Sequence, residues 1–173
     1  MKSTFISGFC VCPGRFGKMN DMKLAEALSL RADRHKRMLQ LTERVKANAL
    51  IQEGDTPSED AQELLLEFNR VADEFELLIE RINRTNLSVT LADRRSLTAA
   101  IARRDVLKFH INIWRQAAEA SAVKQMRSTK SEIKFVSVVN VKEARENVDR
   151  FAQELRQLDT QIQEANWTCD LLD

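Results

Sequence analysis

Eight residues stand where a helical chain would gather them at one end: Asn83, Thr85 and Asn86, then Arg103, Arg104 and Asp105, then Asn166 and Trp167. A guanidinium presents a planar fork of N–H donors that fits a carboxylate or other anion, and amides and a hydroxyl beside it can complete the contact. Trp167 would supply an apolar wall. The set is a candidate pocket for a small molecule or an anion. Its structural alternative is a buried network in which the amides and Arg104 satisfy one another and fix helix register.

Other chemistries have thinner support. Carboxylate-bridged di-iron bundles need Glu-x-x-His pairs, but Ala32 stands three before His35 and Leu107 three before His110. Two histidines on separate helices supply neither a zinc site nor a hydrolytic triad. His35 reads as a partly buried seam histidine. Cys10 and Cys12 have no second Cys/His pair nearby, and Cys169 has no adjacent histidine. Nothing after Gly54 could form a glycine-rich phosphate loop. No catalytic residue, metal or cofactor is assigned, and the chain reads as a non-enzyme.

The elements that would position the eight residues follow from spacing. Helix one runs from about Met22 to Leu50 on a stripe of Leu24, Leu28, Ala32, Leu39, Val45 and Ala49, and Gly54 turns the chain after it. Helix two starts at "TPSE", with Thr56 as N-cap, Pro57 at the first helical position and Glu59 as reciprocal partner. Its seam is Ala61, Leu64, Phe68, Val71, Phe75, Leu78 and Ile82. Helix three begins near Ser96 or Thr98 and carries Leu97, Ile101, Leu107, Ile111, Trp114 and Ala118, with Arg104 on the same face. Helix four opens with Asn140 and Glu143 as a capping box, then runs through Val141, Ala144, Val148, Phe151, Leu155, Leu158, Ile162 and Ala165. Four long amphipathic helices with short connections predict an all-α, antiparallel up-down four-helix bundle with coiled-coil-like seams.

One run breaks the helical pattern. In "KSEIKFVSVVN", residues 130–140, Ile133 and Phe135 alternate with Glu132 and Lys134 before Val136 and Val138. This is strand chemistry, placed between helices three and four. The other β-like stretch is "NLSVTL", residues 86–91. A lone strand leaves its backbone groups open to another chain, so Glu132, Ile133, Lys134, Phe135, Val136 and Val138 form a candidate oligomerisation arm. The alternative is an irregular loop lying over its own end of the bundle.

Among 173 residues the net charge is only +1, which argues against binding nucleic acid or membrane by gross electrostatics. The charge alternates by helix: residues 23–46 hold seven basic against three acidic side chains, and 53–80 hold ten acidic and one basic. Such alternation lets antiparallel neighbours choose partners. Three cysteines, an odd number, fit a reducing cytoplasm. Residues 1–21 read as an N-terminal extension, disordered or preceding the true start, ahead of a bundle domain over 22–173. They make a poor signal peptide, and no apolar run reaches membrane-spanning length, so a soluble protein is expected.

"LAEALSLRAD", "ANALIQEGDTPSED", "INRTN", "RRDVL", "SEIKFV" and "QEANW", in this order from Met22 to about Leu172, resemble the septicolysin-like family of small bacterial proteins, a domain of unknown function. The resemblance implies an all-helical subunit that assembles with itself, a hexamer being the order it suggests. The family's name implies a pore-forming haemolysin, and a membrane would be a partner only in that case. The expectation for this sequence is a cytoplasmic, homo-oligomeric helical scaffold or interaction protein of unknown biochemical function. The alternatives are the haemolysin and a small-molecule or anion binder using the Asn/Arg/Trp end.

Overall fold

A computed structural model describes residues 22–121 and 136–173. The fold is all-α, and the described residues form four helices: α1 (Leu24–Asn48), α2 (Ala61–Ser88), α3 (Leu97–Ser121) and α4 (Val141–Thr168). Among the described residues there is no strand, only isolated bridges between Lys23 and Asp170 and between Thr90 and Ser96. The chain divides into two compact units, residues 22–97 with 164–173, and residues 98–163.

In the first unit α1 and α2 lie antiparallel. Arg34 pairs with Glu74 and Arg37 with Glu67, so partners on α2 fall in number as those on α1 rise, and Arg44 near the end of α1 reaches Glu59 in the loop just before α2. The α2 seam is as its spacing predicts, with Leu64, Leu78 and Ile82 buried. That of α1 is not. Ala32, Leu39 and Ala49 are exposed, and Leu41 is fully buried between half-buried Met38 and Val45. The inward face passes through Ala27, Arg34, Met38, Leu41 and Val45, and the arginine on it disguises the stripe. His35 is exposed rather than seated in the seam, its ring 5.8 Å from that of Phe75.

The start of α2 also corrects the expectation. Asp60 is the N-cap, accepting hydrogen bonds from the main-chain N–H of Gln62 at 2.7 Å and of Glu63 at 3.3 Å. Thr56 and Pro57 precede the helix. The Asn48 side-chain oxygen at the end of α1 accepts from the Ser58 hydroxyl at 2.8 Å and the Glu59 N–H at 3.2 Å. Those bonds hold the TPSE segment in the loop. Gly54 takes φ +96°, the left-handed turn expected of it.

In the second unit α3 and α4 are antiparallel as well. Arg103 meets Glu154 and, further along α3, His110 stacks on Phe151 at 4.8 Å. Leu107, Ile111 and Ala118 of α3 and Ala144, Leu158 and Ile162 of α4 are buried on the predicted faces. Asn140 caps α4, its side-chain oxygen accepting from Lys142 N at 3.1 Å and Glu143 N at 3.3 Å. Of the β-like arm, Glu132, Ile133, Lys134 and Phe135 lie outside the described residues, as does the extension 1–21. Val136 and Val138 are 81% and 97% exposed.

Candidate functional site

The residues expected to form a polar pocket divide between the two units. Thr85 is in the first and is fully buried. Its hydroxyl donates to the Arg81 carbonyl at 2.8 Å and accepts from the Leu172 N–H at 2.9 Å. Asn83 and Trp167 are exposed there, and Asn86 and Asn166 half-buried. Arg103, Arg104 and Asp105 belong to the second unit. Arg103 grips Glu154 with two bonds, at 2.8 and 3.0 Å, and this carboxylate raises its pKa. Half-buried Arg104 turns to its neighbour Asp105 at 3.0 Å, and that hydrogen bond holds the Asp105 carboxyl below the usual carboxylate range.

What gathers around Thr85 is the chain's own C-terminal segment. Arg81 donates to the Leu172 carbonyl at 3.0 Å and to the Asp173 carboxylate at 2.6 Å, and Arg84 contacts the Asp173 main-chain oxygen. On the other side of the segment Cys169 accepts from Leu24 N, Leu171 N donates to Met22, and Lys23 pairs with Asp170 at 2.6 Å. Leu171 and Cys169 are buried. Sequence reasoning missed Arg81, Arg84 and Lys23. The available signal was charge: "RINRT" places two arginines three apart on α2, and "DLLD" supplies the acids.

Two further concavities have charged residues among their walls. One of about 490 Å³ is lined by Arg44, Glu59, Asp60, Glu63, Glu67 and Arg70 among others. The Glu59 carboxyl there lies below its usual range because Arg44 hydrogen-bonds it. The other, about 400 Å³, lies between Arg115, Ala118 and Glu119 of α3 and Arg145, Val148 and Asp149 of α4. Among the described residues no three His, Cys, Asp or Glu side chains group so as to hold a metal ion. No helix among them is long and apolar enough to cross a membrane.

The unassigned surface of greatest interest is apolar. Val106, Phe109 and Ile113 of α3 are 45%, 74% and 59% exposed, although Leu107, Ile111 and Ala118 already commit another side of this helix to the core. Spacing of three and four puts these exposed residues in one stripe. A helix apolar on two sides has one side left to cover.

A family model described as "Family of unknown function (DUF6847)" matches residues 31–171. The chain is also similar to a solved structure, the crystal structure of a functionally unknown conserved protein from Corynebacterium diphtheriae. The two are 35% identical over 88% of this chain and 100% of that one, with a TM-score of 0.80. No curated protein matches. Neither description mentions a lysin or a pore, so the resemblance stands at the level of a family of unknown function with a bacterial representative.

Proposed function

We propose that this chain, which belongs to the family of unknown function DUF6847, is a self-associating helical interaction module of the cytoplasm without catalytic activity of its own. The observation that carries the reading is the exposed Val106, Phe109 and Ile113 stripe on α3. Single exposed apolar residues are ordinary on any protein, whereas a contiguous set on one helix face marks a contact surface. Burying a side chain such as Phe109 contributes about 1.5–3 kcal/mol, enough for a few residues to drive association. The exposed Val136 and Val138 of the β-like arm support the same reading.

Light scattering coupled to size-exclusion chromatography tests it. The expected mass is a multiple of the subunit's, six being the order the septicolysin-like resemblance implies, and a monomer at all accessible concentrations overturns the reading. The haemolysin alternative makes the opposite demand on vesicles: dye release on addition of protein, where a self-associating module gives none.

A further inference from the structure

We infer that the exposed face of α3 packs against the same face of a second copy of this chain, antiparallel, about a two-fold axis between Val106 and Phe109. The inference rests on the self-association reading and adds the surface, the partner and the register.

The stripe is longer than its three large residues. Ala102, Val106, Phe109, Ile113, Gln116 and Ala120 are all exposed and recur at spacings of four, three, four, three and four. That is the seam of a helix meant to lie along another helix. In a chain that is 31% charged, none of these six carries a charge. Depletion of charge marks the core of an interface rather than a solvated surface.

The order of sizes along the seam selects a second α3 and a register. Antiparallel pairing about a point between Val106 and Phe109 sets Val106 against Phe109 of the other copy, and Ala102 against Ile113. Each layer then matches a smaller residue with a larger one, so the volumes stay even and the helices can interdigitate. Sliding the copies by one heptad sets Phe109 against Ile113 and Ala102 against Ala120, a bulging centre with a void at each end. A two-fold contact needs this self-complementarity, because each residue must suit its counterpart in both directions.

Charge selects the same register. One flank of the seam carries Asp105, Lys108, Asn112, Arg115 and Glu119, and in an antiparallel pair like flanks face each other. With the axis between Val106 and Phe109, Asp105 faces Asn112 of the second copy, between that copy's Lys108 and Arg115. In the slipped register Asp105 faces Glu119, and two such like-charge pairs oppose it. Asp105 already draws Lys108 of its own helix to 3.6 Å. A second copy brings cations to the carboxylate's other side.

The test is a set of exposed-site variants of the full chain, each checked for helicity by circular dichroism and then followed by light scattering and sedimentation. Phe109→Glu should remove the assembly's α3 contact and lower the mass. Ile113→Ala should weaken association about tenfold or more, and adding Ala102→Ile should restore most of the loss, because these positions face each other across the axis. A wild type that stays monomeric, including one that instead binds vesicles through Phe109, overturns this inference and the self-association reading together. An oligomer whose mass is unmoved by Phe109→Glu overturns only the α3 pairing. Weakening by Ile113→Ala without rescue overturns the register.

Discussion

The Thr85 hydroxyl, wholly buried near the end of α2, accepts the main-chain N–H of Leu172 at 2.9 Å, 87 residues further along the chain. The same oxygen donates to the Arg81 carbonyl one turn back at 2.8 Å, so it works as a two-way adaptor between a helix and a non-helical segment. A valine has the shape of threonine but can neither accept nor donate. Thr85→Val therefore leaves the Leu172 N–H unpaired against an apolar neighbour, at a cost of about 1–3 kcal/mol. Urea denaturation should show a lower midpoint with an unchanged slope. Thr85→Ser, which keeps the hydroxyl, should recover most of the loss, and equal effects from serine and valine would assign the site to packing.

Arg94 is a non-glycine residue with positive φ, +67°. It sits in the loop between α2 and α3, closed by Leu91 N to Arg95 O at 2.8 Å, Arg94 N to Leu91 O at 2.9 Å and Leu97 N to Val89 O at 2.9 Å. Those bonds force the left-handed conformation on a side chain that resists it. Glycine removes that penalty and loses part of the gain to its greater freedom when unfolded, leaving roughly 0.5 kcal/mol in favour of Arg94→Gly. Valine branches at Cβ and should cost more than 1 kcal/mol, on the order of the left-handed penalty itself. Thermal melts should rank glycine above arginine and valine last. Any other order removes the backbone explanation.

How much of this was readable beforehand depended on whether the deciding contact was local. The seams of α2 and α4 show plainly because Leu64 to Ile82 and Ala144 to Ala165 keep apolar residues at the inward positions. On α1 the inward positions include Arg34, whose Nε lies 2.6 Å from Glu74 across the helix pair, so the apolar period points to the wrong side. The polar end was legible only as a list of residue types. Thr85 belongs to it, but its partner is a backbone N–H, which no side-chain pattern reveals. The outward stripe of α3 was in the sequence from the start. It was masked by the core stripe of the same helix, and only exposure values separate the two.

The helix start of α2 offers a direct comparison. Thr56 has the sequence signature of a cap, but Asp60 makes the cap bonds, to Gln62 N and Glu63 N. Asp60→Ala should destabilise by about 0.5–2 kcal/mol, the usual cost of losing an N-cap, while Thr56→Ala should be close to silent. Denaturant titration of the two variants side by side settles which residue begins the helix. A larger loss at Thr56 than at Asp60 would reinstate the TPSE box.

Acid should expose the carboxylates that arginines hold. Asp93 lies below its usual range chiefly because the Arg95 side chain hydrogen-bonds it, at 2.6 Å to Nε, and the Arg95 N–H adds a further bond at 3.0 Å. Glu59 is lowered in the same way by Arg44, and Asp105 by Arg104. A carboxyl whose folded value is depressed binds its proton more readily in the unfolded chain. The stability it contributes is therefore complete above the ordinary carboxylate range near pH ~4 and disappears as pH falls through the depressed folded value. All three pairs lie near solvent, so each effect is modest and screened by salt. The melting temperature should hold steady from neutrality down to about pH 5 and decline below about pH 4. Asp93→Asn keeps an oxygen to accept the Arg95 N–H but has no charge to lose. It should melt below wild type at neutral pH, and the gap should close as the solution is acidified. A gap that stays constant to low pH would show that the Asp93 charge contributes nothing to folding.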